Sequence, residues 1–112
     1  DPAILGRHII EALIDGPQKG LERTLPEAAS LRAVYVTEDG VAYVDLQEGI
    51  LNLHPGGSKS ELMTIYAMVN SLVLNVPAIQ SVKILVGGRE SMSLAGHIDL
   101  RFPFKANMLM VR

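Results

Sequence analysis

Asp39-Gly40 limits what this chain can fold into more than any other pair of its residues. The stretches 31–38 (LRAVYVTE) and 41–46 (VAYVDL) are rich in β-branched and aromatic side chains. The Asp-Gly dipeptide between them favours the positive φ angles of a two-residue type I′ hairpin turn. That loop length predicts a register in which residue 38 faces 41, 36 faces 43 and 34 faces 45. One face of the ribbon then carries Leu31, Ala33, Tyr35, Ala42, Val44 and Leu46, a natural core face. The other mixes Arg32, Glu38 and Asp45 with Val34, Val36, Val41 and Tyr43. Those last four form a contiguous apolar strip, more apolar than a solvated face requires, and they are the candidate interaction face.

Helical signals stand on either side of the hairpin. Asp1 before Pro2 reads as an N-cap with proline at the first helical position. Leu5, Ile9, Ala12 and Leu13 fall on one side of the wheel, with Gly6 between them, and Arg7, His8, Glu11 and Asp15 on the other. Gly16-Pro17 closes this helix, which covers about residues 2–15. A connection runs on to Ser30, with a short strand expected around 22–25. His54-Pro55-Gly56-Gly57 breaks the chain, and Ser58-Lys59-Ser60-Glu61 matches a capping box. Leu62, Ile65, Tyr66, Val69, Leu72, Val73 and Val76 then form one apolar stripe, Met63, Ala67 and Leu74 a second, and Pro77 ends the helix.

A strand at 82–86, a Gly87-Gly88 turn and a strand-like run over 89–94 follow, and Gly96-His97-Ile98-Asp99-Leu100 closes the ordered part. This order predicts an α+β two-layer sandwich. Two helices pack on one face of a small, three- to four-stranded, mainly antiparallel sheet, with 31–38 at its centre. One domain spans 1–112, with an ordered core at about 2–102 and a tail over 103–112.

Composition narrows the function. A chain of 112 residues with 48% hydrophobic and 20% charged residues suits one globular core. A net charge of −2 gives no attraction for a phosphate backbone, so no nucleic-acid partner is expected. With no cysteine, thiol catalysis and disulfides are excluded. No apolar run approaches the roughly 18 residues that span a bilayer. The opening at Asp1-Pro2, without methionine, is that expected of a fragment whose targeting segment was removed.

The chemistry-bearing side chains are His54, His97, Asp45 and Asp99, and none sits in a nucleophile elbow, a zinc-binding His pair or a phosphate loop. His97 and Asp99 share a face if extended, yet two ligands make a thin metal site, and a closing turn explains them as well. His54-Pro55-Gly56-Gly57 reads as turn chemistry before an anion site, Gly87-Gly88 as a turn before a ligand loop. Met63, Met68, Met92, Met108 and Met110 read as core filling before an adaptable surface. No catalytic residue, cofactor or metal is expected.

Three stretches together carry a resemblance: residues 31–46, ending in Tyr-Val-Asp-Leu; Gly57-Ser-Lys-Ser-Glu-Leu62 leading into its helix; and Val82-Lys-Ile-Leu-Val-Gly-Gly88 leading to Leu94-Ala-Gly-His-Ile-Asp99. This order resembles the GerM domain, named from bacterial sporulation and spore germination proteins, over about residues 2–102. The resemblance implies a bacterial, extracytoplasmic domain, similar in fold to ring-building motifs and free of transferable catalytic residues. It further implies a tether to the membrane that is missing from this chain. The expected function is a non-catalytic interaction or assembly module of the cell envelope, with an envelope protein or a second copy as partner. The alternative is a module for a cell-wall glycan or peptide, for which the aromatic supply is thin: Tyr35, Tyr43, Tyr66, Phe102 and Phe104, with Tyr35 and Tyr66 expected to be buried.

Overall fold

In the computed structural model of the chain, the described residues are 1–15, 31–47, 58–91, 99–107 and 109; for residue 15 and for 58–64 the backbone alone is described. The expected strand at 22–25, the turn at 54–57, the capping-box side chains and the closing residues 96–98 lie outside them. Helix α1 (Pro2–Asp15) begins as its sequence predicts. The Asp1 carboxylate accepts from the Ala3 amide (2.9 Å), and its carbonyl accepts from Leu5 (3.1 Å). The buried line is turned by about one residue from the predicted one. Gly6 and Ile10 are buried and Leu13 and Ile14 pack on the core, whereas Leu5 is exposed. Gly6 decides this rotation. A Cβ there would lie 3.4 Å from both the Val34 and Leu72 side chains, so the helix sits close against both neighbours at that point.

Strands β1 (Leu31–Val36) and β2 (Val41–Leu46) form the predicted antiparallel hairpin. Helix α2 (Ser58–Asn75) crosses back to strand β3 (Ser81–Val86), which lies parallel to β2. Such a crossover is what parallel neighbours need. Ile65, Met68, Val69 and Leu72 of α2 and Val76 just after it are buried, and Asn75 caps the last turn by donating to the Ser71 carbonyl (2.7 Å). Gly87 and Gly88, at φ 62° and 80°, turn the chain into the two-residue strand β4 (Arg89–Glu90), antiparallel to β3.

The result is the predicted α+β sandwich, with a mixed four-stranded sheet in the order β1-β2-β3-β4. The hairpin's first strand is therefore at an edge, not at the centre. Beyond β4, the Phe104 amide donates to the Val82 carbonyl (2.7 Å) and the Val82 amide to the Phe104 carbonyl (2.8 Å), on the same edge of β3. Leu100 is fully buried, and the Phe104 ring meets Tyr66 edge to face at 5.7 Å. Asn70 on α2 closes the arrangement: its side-chain amide donates to the Asn107 carbonyl (2.9 Å) and accepts from the Asn107 amide (2.7 Å). Phe104 and Asn107, in the segment read from sequence as a tail, are thus fastened to the sheet and to α2.

Candidate interaction face

The hairpin turn holds three residues, not two. Thr37 pairs with Val41, its amide donating to the Val41 carbonyl (3.0 Å), and the Gly40 amide returns to the Thr37 carbonyl (3.1 Å). This is a tight turn followed by a glycine bulge, the next commonest hairpin connection. Thr37 selects it: its hydroxyl accepts from the Val41 amide (3.1 Å) and donates to the Asp39 carboxylate. Gly40, at φ 90°, then lends its carbonyl to the amides of Gln80 (2.7 Å) and Ser81 (3.2 Å), docking the turn on the start of β3.

One extra loop residue moves the whole register. Val36 faces Ala42, Tyr35 faces Tyr43 and Val34 faces Val44. Since side chains alternate along a strand, a one-residue slip exchanges the two faces of β1. The predicted strip Val34, Val36, Val41 and Tyr43 is thereby split. Val34 is only 9% exposed and lies against α1, and Val36 packs on the core. Val41 and Tyr43 remain on the far face, half-buried, and there Tyr35 joins them, 56% exposed. Tyr35, expected inside, is thus outside, just as Val34 and Val36, expected outside, are inside. The signal that could have found it is Thr-Glu-Asp-Gly, with a hydroxyl able to hold the wider turn. A bulge at Arg32 restores the face at the strand's start, so that Leu31 still pairs with Leu46 and packs on the core.

The charges of this outer face are tied down. Asp45, its side chain 4% exposed, accepts from Arg32 Nε (3.1 Å) and from the Gly88 amide (2.8 Å). Gly88 suits this contact by its positive φ and because a Cβ there would lie 3.3 Å from the Arg32 Nη2. Lys83, its side chain 5% exposed, pairs with Glu90 (2.9 Å) and donates to the Arg101 carbonyl. If β4 ran on in register, Val82 would face residue 93. It faces Phe104 instead, and Lys83 bonds both Glu90 and Arg101. Burying a charge costs less when pairing and hydrogen bonds compensate it, as here. Neither group is left to act on a substrate.

Asp99, one of the possible metal ligands, is spent on Arg101, whose Nε and Nη2 both lie 3.0 Å from it. His97 and His54 lie outside the described residues, and among those described no group of three His, Cys, Asp or Glu converges. The Arg101 hydrogen bonds hold the Asp99 carboxyl down at about 2, from 3.8. The expected result of a carboxyl NMR titration is a midpoint near that value, rising towards the ordinary one in Arg101→Gln. What this pair adds to stability is complete above pH 3.8 and lost as pH falls towards about 2. No helix among the described residues is long and apolar enough to cross a membrane.

A sequence-family profile described as sporulation and spore germination, named Germane, matches residues 1–91. The structure is similar to a candidate lipoprotein from Clostridium perfringens, at a TM-score of 0.80 and 27% identity, over 93% of this chain and 68% of that one. The tandem GerMN domains of the Bacillus subtilis sporulation protein GerM share the fold at a TM-score of 0.68 and 18% identity, covering 88% of this chain and 36% of theirs. The first of those domains alone gives 0.62 and 17%, over 82% of this chain and 65% of its own. A comparison with curated proteins found no match.

Proposed function

The chain belongs to the Germane family of sporulation and spore germination domains, and we propose that it works as a non-catalytic interaction or assembly module of the bacterial cell envelope, on the extracytoplasmic side. The observation that carries this reading is the pairing of exposed Tyr35 with Tyr43 on the face of the sheet turned away from both helices. An edge strand offering an aromatic side chain of that size, beside charges already committed to each other, suits contact better than chemistry. The likeness to a candidate lipoprotein supports a place at the envelope. The partner on this reading is an envelope protein or a second copy.

Solution mass tests it. Light scattering over a wide concentration range is expected to show reversible growth in mass, abolished by Tyr35→Asp with no change in melting temperature. A strict monomer at every concentration would contradict self-assembly. A second reading, a module that holds a cell-wall glycan or peptide, is favoured by the same two tyrosines, because the structure brings to the surface an aromatic residue that the sequence reading had placed inside.

A further inference from the structure

We propose that Arg32, Tyr35 and Tyr43 form a binding site for a saccharide that carries a carboxylate. This rests on the reading that the outer face of the sheet is the contact surface, and it names the ligand chemistry which that face would take. The site has an aromatic part and a cationic part. Tyr35 and Tyr43 are register partners across β1 and β2, in the hydrogen-bonded kind of pair that follows from the Thr37–Val41 bonds, so their side chains leave the sheet side by side. Flat rings in that setting suit the C–H face of a pyranose, and each phenolic hydroxyl can still bond a sugar hydroxyl.

The cationic part is Arg32. The bulge turns it onto the outer face, where only its Nε is taken, by Asp45. Among the described residues its two terminal amino groups have no hydrogen-bond partner, and the side chain is 45% exposed. Asp45 is in turn fixed by the Gly88 amide, so the guanidinium is held in place before any ligand arrives. A guanidinium with its terminal nitrogens open presents the planar fork that matches a carboxylate.

Charge along the hairpin decides the occupant. Exposed Glu38 and Asp39 sit at the turn, and Arg32 lies about 20 Å away at the other end of β1, by the rise of a strand. A ligand with one carboxylate at the Arg32 end and uncharged rings over the tyrosines meets a single like charge, Asp45, which Arg32 Nε and the Gly88 amide already compensate. A uniform polyanion would run into the acidic turn.

The test is calorimetry on the folded domain with two probes, the disaccharide of N-acetylglucosamine and N-acetylmuramic acid and the neutral dimer of N-acetylglucosamine. The carboxylate-bearing probe is expected to bind about 10-fold more tightly than the neutral one, the gain of a charge-assisted fork. Tyr35→Ala is expected to weaken both probes by about 10-fold, as loss of a stacking platform would. Arg32→Gln should erase the difference between them. Because Arg32 also pairs with Asp45, Arg32→Lys serves as the second variant: it keeps the charge and should lose most of the preference. Equal binding of the two probes, or a preference unmoved by both Arg32 variants, would overturn the assignment. So would absence of binding by either probe. If in addition Tyr35→Asp leaves solution mass unchanged, the outer face itself is refuted as a contact surface; if mass still responds to Tyr35→Asp, only the saccharide assignment fails.

Discussion

Val34→Asp is expected to cost at least about 3 kcal/mol of folding stability, while Tyr35→Asp, one residue further along the same strand, changes it by no more than about 0.5 kcal/mol. The two positions differ only in which way the strand turns them. Val34 points at Gly6 of α1, where a Cβ would lie 3.4 Å from it, and that buried setting offers a carboxylate no compensation. Tyr35 points away, more than half exposed. Against a total stability of about 5–15 kcal/mol, the first change leaves a domain that is partly or wholly unfolded at room temperature. Urea unfolding followed by circular dichroism separates the two. The register of a two-residue turn predicts the reverse order, so tolerance of aspartate at position 34 and collapse at position 35 would refute the hairpin as described.

The second large effect concerns the end of the chain. A version stopped at Ser91, where the family match ends, is expected to show no cooperative unfolding transition. It loses Leu100 from the core, worth about 1.5–3 kcal/mol by burial alone. It also loses both main-chain bonds between Phe104 and Val82, and it leaves Asn70 without Asn107. An unsatisfied buried amide adds about 1–3 kcal/mol. Lys83 gives up the Arg101 carbonyl as well and keeps only Glu90. These losses together reach the lower end of a small domain's stability. A milder variant reads the same contact: Leu100→Ala in the full chain should cost about 2–5 kcal/mol. A truncated chain that melts as sharply as the full one would show that the segment is dispensable.

What the sequence discloses follows from how local each signal is. The ends of α1, the existence of both strands of the hairpin and the Gly87-Gly88 turn rest on neighbours within a few residues, and each is found where the residues predict it. The outward face of β1 was not legible, because one hydroxyl decides it. Thr37 widens the turn, and four residues of the strand, 33–36, then exchange their environments. Asp-Gly alone could not distinguish the two loops, since both place glycine at positive φ. The edge position of β1 depends on where α2 delivers β3, a long-range choice that no window of sequence contains. The docking of residues 103–107 is missed for a similar reason: one bridge and one asparagine clamp leave no periodic trace. Of the four residues proposed for contact, Val41 and Tyr43 keep the predicted side because β2 did not slip. Val34 and Val36 changed sides with β1.

Amide shift mapping of the isotope-labelled domain tests most directly the claim that it meets its partners through the outer face of the sheet. Spectra would be recorded as protein concentration rises, and again with the carboxylate-bearing disaccharide. The expected shifts fall at Arg32, Tyr35, Tyr43 and Lys83, with the helical layer unmoved. Shifts confined to Ile4, Leu5 and Leu74, the exposed apolar side chains of α1 and α2, would contradict that claim and assign contact to the opposite layer.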